Sequence, residues 1–188
     1  MLRVVAVLLA VVMTGGFAAD RGPALDPVSG ARIDGPVSIA GAGSTYGSSL
    51  RGGQQALFGA VTIANTGDRT AELDAGRLVG GVVRPDQAEL LALRVLDLGP
   101  APAPKDLLGA GHWSREWLPM WRRAVPVDQA RLEPGHEAAL LLRVRAVRTG
   151  VWRWSGAAID YRVGGTRYTA VGGSGIALCP PRRLDDCL

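Results

Sequence analysis

Most of the chain after residue 54 consists of short apolar runs separated by turns that contain glycine, proline or asparagine. In residues 138–147, apolar positions such as Leu140, Leu142 and Val144 alternate with positions such as Arg143. A period of two residues is typical of a strand that buries one face. Residues 57–64 are rich in β-branched and aromatic side chains, which favour strands, and they end at an Asn-Thr-Gly-Asp turn. The pattern therefore predicts a chain built mainly of β-strands.

Residues 86–98 fit two patterns. Their leucines and valines match both a helix and a strand, and Pro85 is a favourable first residue for a helix. We favour a strand because the neighbouring segments are strands and because Leu91, Leu93 and Val95 alternate with other residues. The whole pattern then predicts about seven or eight short strands in a single antiparallel β-sandwich.

The clearest local signal is a hairpin around Gly164 and Gly165. Two glycines between alternating runs fit a two-residue turn in which both residues take positive φ. This turn fixes the register, because a shift of one residue would expose both tyrosines of the hairpin. The predicted pairs are Ile159 with Ala170, Tyr161 with Tyr168, Arg162 with Arg167, and Val163 with Thr166.

The first eighteen residues have the order of a secretion signal. Arg3 precedes an apolar run at 4–13, and Gly16 and Ala18 are the small residues that a signal peptidase reads. The mature chain is expected to begin near Ala19, which makes the protein secreted or extracytoplasmic and associated with the cell surface. The alternative is a retained membrane anchor, although about ten apolar residues extend only about 15 Å as a helix, half of a bilayer core. Membrane contact is expected only if this segment is kept.

The next segment, 19–53, is rich in glycine, proline and serine. Only residues 37–40 suit a strand, and residues 41–53 have almost nothing to bury, so they are predicted to form a mobile loop. The remaining residues, 54–188, are long enough for one domain with a core of its own.

The charge of the chain is modest. The formal net charge is +4 and the pI is about 9.7, with acidic and basic residues interspersed. Basic residues cluster only in two short pairs, at 122–123 and 182–183, and neither forms a stripe that follows a phosphate backbone. Nucleic acid is therefore not expected as a partner.

The two cysteines, Cys179 and Cys187, lie close together in the sequence. In an oxidising compartment such a pair is typical of one local disulfide, which here would hold the C-terminal tail. Closing so short a loop stabilises the fold by about 2.5 kcal/mol in the chain-entropy view.

Three turn and strand motifs carry a family resemblance. They are the strand that ends in Asn-Thr-Gly at 65–67, the Leu-Glu-Pro-Gly turn at 132–135, and a late strand that bears Tyr161. Together, over Ala56 to Leu178, they resemble exported bacterial immunoglobulin-like accessory domains. The resemblance implies an immunoglobulin-like β-sandwich and says little about activity, because turn chemistry determines fold more than function.

Tryptophans supply the best candidate contact surface. Trp113, Trp117 and Trp121 recur every four residues, and Arg122 follows the last of them. One interpretation is a loop whose indoles close one end of the sandwich. The other is a binding surface for an envelope glycan or a protein partner, since indole rings offer much contact area at low entropic cost.

A metal site is the competing hypothesis. His112, Met120 and His136 carry the imidazole and thioether groups that suit Cu(I). Together with the turn at 65–68, this set distantly resembles periplasmic copper chaperones. The resemblance is incomplete, because Ala138 stands where those proteins place a second methionine.

Catalytic motifs are missing from the sequence. The serines near Gly43 and Gly47 lack the strand before and the helix after that a nucleophile elbow needs. No phosphate-binding loop, dinucleotide fingerprint or zinc spacing is present. The sequence therefore predicts a non-catalytic binding or structural module without a cofactor.

The signal segment yields the first testable prediction. Removal of residues 1–18 should give an exported protein that begins near Ala19. N-terminal sequencing of the exported protein measures this directly, with a signal-peptidase-resistant Ala18→Arg variant as the control. An exported protein that still carries Met1 or Leu2 would show that the segment is retained as an anchor.

Overall fold

The computed structural model describes residues 33–41, 44–81, 83–103, 109–182 and 187. The predicted signal segment, 1–18, and residues 19–32 of the segment after it lie outside this part of the chain. The described strands are β1 (Val37–Ala40), β2 (Thr45–Ser49), β3 (Gln55–Asn65), β4 (Ala71–Val79), β5 (Ala88–Pro100), β6 (Ala110–His112), β7 (Val125–Pro126), β8 (Arg131–Leu132), β9 (His136–Ala146), β10 (Trp152–Trp154), β11 (Gly156–Val163), β12 (Thr166–Gly172) and β13 (Gly175–Cys179). The described helices are α1 (Leu118–Arg123) and two 3-10 turns, Arg115–Trp117 and Val127–Gln129. None of the helices in these ranges is both long and apolar enough to cross a bilayer.

The strands form three hydrogen-bonded sheets. The first has the order β1-β3-β9-β5-β7, with β6 paired to another part of β3. The second has the order β12-β11-β4-β8, and the third β10-β13-β2. Neighbouring strands are antiparallel except β2 and β13, which are parallel. The prediction of an antiparallel all-β chain is confirmed, although the sequence pattern predicts two sheets where the structure has three.

The main core lies between the three sheets. It combines Phe58 and Leu142 from the first sheet, Ile159 and Tyr161 from the second, and Leu178 from the third, all 1% exposed or less. Each fully buried side chain of this size stabilises the fold by about 1.5–3 kcal/mol. The shared core therefore holds the three sheets in one arrangement.

A second, smaller core lies on the opposite face of the first sheet. Leu57, Leu96 and Leu141 point to this side, where residues that precede and form α1 cover them. Strand β9 is thus buried on both faces, which explains why Ala138–Leu142 is continuously apolar instead of alternating. This face of the sheet, with the segment that covers it, becomes the candidate site described below.

Two predictions on strands are confirmed and one is wrong. Residues 37–40 form β1, and most of 86–98 lies in β5. The predicted mobile loop at 41–53 contains a strand, Thr45–Ser49. Its backbone pairs with the distant strand β13, and the Leu50 N–H donates to the Cys179 carbonyl at 2.7 Å. Pairing with β13, a distant part of the chain, stabilises this strand. The residues of 41–53 by themselves therefore do not indicate it.

The hairpin register is confirmed at all four predicted pairs. Arg162 and Arg167 lie opposite each other in this register, so their like charges repel. Arg162 forms an ion pair with Asp74 of β4 at 2.6 Å, while Asp160 binds Arg77 and accepts a hydrogen bond from Thr169. A strand from elsewhere in the chain therefore offsets the repulsion.

Tyr161 links this hairpin to the first sheet. Its hydroxyl accepts a hydrogen bond from the Val37 N–H at 3.1 Å, and its ring stacks on Tyr168 with centroids 5.4 Å apart. Burial is the main reason why the pKa of Tyr161 lies above its usual value of 10.0, because the phenolate would lose its hydration. The hydroxyl thus stays protonated at neutral pH.

The C-terminal region carries the predicted disulfide between Cys179 and Cys187, with Cα atoms 5.9 Å apart. The Cys187 carbonyl also accepts two hydrogen bonds from the Arg153 guanidinium, at 3.0 and 2.7 Å. Residue 187 is therefore held to the third sheet by a covalent bond and by a side chain of β10.

Asn65 joins two turns that are far apart in the sequence. Its side-chain amide donates to the carbonyls of Arg69 and Leu132 at 2.8 and 2.9 Å, and its side-chain oxygen accepts from the Gly67 N–H at 3.0 Å. Its own carbonyl accepts from the N–H of Gly135 at 2.9 Å. Asn65 is only 1% exposed, so these hydrogen bonds are shielded from water.

Replacing this side chain tests its role. Asn65→Ala should lower the free energy of unfolding by about 2–4 kcal/mol, because it leaves buried backbone groups without partners. Urea unfolding followed by tryptophan fluorescence measures the loss. The matched control is Thr66→Ala, which removes an exposed hydroxyl bonded to the Pro36 carbonyl and should cost about 1 kcal/mol or less. Equal losses in the two variants would contradict the assigned role.

Candidate binding site on the outer face of the first sheet

The segment from Trp113 to Ala124 crosses the outer face of the first sheet. It leaves β6, which pairs with β3, and reaches β7, which pairs with β5, so it passes over β9 between them. Pro119 lies in the first turn of α1, where its missing N–H leaves no hydrogen bond unmade. The three predicted tryptophans are consequently not on one helix. Trp113 precedes the helical residues, Trp117 ends a 3-10 turn and Trp121 lies in α1.

Trp113 and Trp121 pack together as a lid on the small core. Their rings meet edge to face with centroids 5.2 Å apart. The Arg143 guanidinium lies 4.2 Å from the centroid of Trp113, and that of Arg94 lies 5.2 Å from the centroid of Trp121. Cation–π contacts of this kind contribute about 0.5–2 kcal/mol each. Both rings are thus engaged within the protein itself.

Arginine side chains also fix this lid to the strands beneath it. Arg94 donates from Nη1 to the Trp121 carbonyl at 2.8 Å, and Arg143 donates from Nε to the Gln55 side-chain oxygen at 2.7 Å. The cations that stack on the indoles are therefore themselves held in place by the first sheet. The tryptophans therefore cover a small core on one face of the first sheet, and binding at their outer surface stays a prediction.

Trp117 is placed differently from the other two. Its indole N–H donates to the His112 carbonyl at 2.9 Å, and its ring lines a cleft of about 280 Å³. We call this cleft, with its six lining residues, the α1 cleft. Its lining residues are Leu96, Glu116, Trp117, Pro119, Met120 and Arg123.

The α1 cleft has an apolar floor and two charges on its lining. Glu116 and Arg123 are exposed, and neither forms an ion pair with any residue in the described ranges. Arg122, the arginine singled out from the sequence, is exposed but does not line the cleft. Of the four residues predicted to form a contact surface, Trp117 alone lines this cleft, and their role in binding stays a prediction. The spacing of Trp117 and Met120, one helical turn apart, was the available signal.

The alternative metal ligands lie in different places. His112 of β6 lies opposite Ala56 of β3, and Ala56 in turn lies opposite Val144 of β9. His136 is also on β9, eight residues before Val144. At about 3.4 Å per residue, the two histidines are roughly 27 Å apart along the sheet. His136 instead contacts the carboxylate of Asp97 at 3.3 Å. The fold does not bring His112, Met120 and His136 together, and the described residues contain no group of three or more His, Cys, Asp or Glu placed to hold a metal ion.

No protein-family model matches the sequence, and no curated protein is similar to it. Several solved structures show a limited likeness, among them a protease, a PapD-like domain and a glycoside hydrolase. The VesB protease of Vibrio cholerae has a TM-score of 0.38 and 12% identity, and the match covers 76% of this chain and 31% of the protease. A PapD-like domain of human CEP192 has a TM-score of 0.32 and 11% identity over 93% of this chain and 97% of that domain, and a family 123 glycoside hydrolase from Clostridium perfringens has a TM-score of 0.30 and 9% identity over 77% of this chain and 27% of the hydrolase. The chain spans about a third of the protease. TM-scores this low do not assign a shared fold, and nothing about the site follows from them.

Two substitutions test whether Trp113 supports the fold and whether the exposed Arg122 does not. Trp113→Ala should lower the free energy of unfolding by about 2–4 kcal/mol, because it opens the small core and removes both the edge-to-face and the Arg143 contacts. Denaturant unfolding followed by far-UV circular dichroism measures the change. Arg122→Ala is the control and should stay within about 0.5 kcal/mol of the wild type. A Trp113 variant as stable as the control would show that the indole does not support the sheet.

Proposed function

We propose that the protein is a non-catalytic, extracytoplasmic binding module of immunoglobulin-like type that holds a protein partner at the α1 cleft. The observation that carries the proposal is an apolar cleft beside a half-buried tryptophan, with two charges of opposite sign on its lining that form no ion pair with any described residue. Interfaces of this composition bind an apolar anchor side chain and orient it through surrounding polar contacts.

The chemistry of the cleft favours a protein segment over a glycan. Sugar rings are bound by open aromatic faces together with polar hydrogen-bonding groups. Both indoles of the lid, Trp113 and Trp121, already carry an arginine on their rings. The α1 cleft itself offers Leu96, Pro119 and Met120, and methionine adapts its shape to varied apolar partners. A leucine- or phenylalanine-sized side chain next to one acidic and one basic residue fits this lining.

The location outside the cytoplasm is supported by the disulfide, since such bonds persist in oxidising compartments. The immunoglobulin-like assignment is supported by the contacts between the motifs that carry the resemblance. The turn after β3 is bonded through Asn65 to the Leu132 carbonyl and the Gly135 N–H of the Pro-Gly turn. Tyr161 of the late strand is bonded to β1. Motifs that are separate in the sequence thus form one connected set of hydrogen bonds.

Site-specific photo-crosslinking tests the proposed surface. A benzoylphenylalanine at position 116 should give a discrete, protease-sensitive adduct when the protein is illuminated with the envelope and secreted fractions of its source cell. Met120→Arg should abolish the adduct, because it places a charge on the apolar floor of the cleft. The readout is the adduct band on a denaturing gel.

The matched control carries the crosslinker at position 171, since Val171 is an exposed apolar residue, 43% accessible, on a different sheet. The proposal requires that this position gives no such band and that Met120→Arg keeps the wild-type circular dichroism. An adduct that survives Met120→Arg would contradict it. So would an adduct whose added mass is removed by muramidase, which would identify a glycan.

A further inference from the structure

We propose a second binding site, for a small oxyanion such as a carboxylate or a phosphate, where the third sheet meets the loops beside it. An open cleft of about 410 Å³ lies there, away from the α1 cleft. We call it the donor cleft because hydrogen-bond donors dominate its side chains. Its lining residues are Ser44, Thr45, Gly80, Arg153, Trp154, Ser155, Gly173 and Gly175.

Among the described residues, the donor cleft carries one positive charge, that of Arg153, and no carboxylate pairs with it. Arg153 uses Nε and Nη2 to bind the Cys187 carbonyl, so Nη1 remains for another acceptor. It forms no ion pair with any carboxylate of the described ranges, and no lining residue is acidic. A guanidinium without a carboxylate partner favours an oxyanion ligand, because charge-assisted bonds to oxygen anions are the strongest that it makes.

Trp154 provides an independent observation. The residue is only 8% exposed, yet its indole N–H donates to no described residue, although those of Trp117 and Trp152 both bind carbonyls. The indole nitrogen of Trp154 is not one of the buried side-chain atoms that lack a partner, so it reaches solvent and is available to donate. Because Trp154 lines the donor cleft, an oxyanion there would accept this hydrogen bond in place of water.

The hydroxyl groups and glycines of the cleft fit the same ligand. Ser44 and Thr45 are exposed, and their hydroxyls bond to no other described residue, whereas the Ser155 hydroxyl donates to the Val79 carbonyl. A side chain at Gly80 would place its Cβ 1.7 Å from the Ser155 oxygen, and one at Gly175 would approach the Thr45 oxygen to 2.7 Å. Glycine at these positions leaves the space beside the Ser155 and Thr45 side chains open.

The geometry therefore combines one cation, one indole N–H and two free hydroxyls around an open space. These groups all donate, and none supplies the fixed negative charge that would bind a cation. A terminal carboxylate and a phosphate group share the required chemistry, and the two differ in shape, since one is planar and the other tetrahedral. The test uses one probe of each kind.

The experiment is a titration of the ¹⁵N-labelled protein without residues 1–18, followed by nuclear magnetic resonance. The chain has five tryptophans, so five indole N–H signals are expected, and Trp154→Phe identifies the one of interest by its loss. Acetate and inorganic phosphate are titrated separately at constant ionic strength with chloride as the background ion. We expect one of the two to move the Trp154 signal downfield in a saturable way while the signal of Trp113 stays in place.

Variants link the shift to the proposed donors. Thr45→Val keeps the shape of the side chain and should weaken binding about three- to tenfold, because it removes one hydroxyl donor. Arg153→Gln should weaken binding about tenfold or more. Arg122→Gln removes the same charge from a distant surface and should leave the affinity unchanged.

Two results would overturn the proposal. One is a shift that rises linearly without saturation for both probes, which indicates general ionic effects. The other is saturable binding that is equally strong in Thr45→Val and in the wild type while Arg122→Gln weakens it, which would place the anion elsewhere. Because Thr45→Val and Arg122→Gln alter exposed side chains, unfolding does not explain either outcome, and the crosslinking result at the α1 cleft is independent of both.

Discussion

The residues from Ala138 to Leu142 place apolar side chains on both faces of the central strand of the first sheet. One face packs against the second and third sheets in the main core. The other would be open to water without a cover, and burying that much apolar area is favourable by about 25 cal/mol per Å². The segment from Trp113 to Ala124 supplies the cover, because it crosses from one side of β9 to the other and lays its indoles on Leu141 and its neighbours. The rest of the outer surface is organised around this requirement.

The same cover creates the α1 cleft. A short helix and a 3-10 turn pack less evenly on a sheet than a long helix, so gaps remain beside them. Trp113 and Trp121 are fixed by each other and by arginines of the sheet, whereas Trp117 is held through its indole N–H and leaves its ring at the cleft. A structural demand of the sheet and a candidate binding surface thus share one segment of chain. Substitutions in this segment therefore affect stability and binding together, since Met120 also packs against the small core.

Contacts over long sequence distances determine the other side of the molecule. Strand β2 exists because it pairs with β13, and the position of Cys187 depends on the disulfide and on Arg153. The donor cleft arises where these elements meet β10, with residues from four separate parts of the chain. No local motif marks it, since its donors become neighbours only after folding.

The sequence by itself determined the strand content, the register of the hairpin, the Pro-Gly turn and the cysteine pair, because periodicity, turn chemistry and short loop closure act over a few residues. It also indicated the tryptophan segment, but not which rings stay available or which arginine lines the cleft. Those points were decided by the tertiary structure, as were β2, the third sheet and the ion pair of Arg162 with Asp74. Each of them depends on groups that are brought together from distant positions, and the energy that stabilises them appears only when the partner strand is in place.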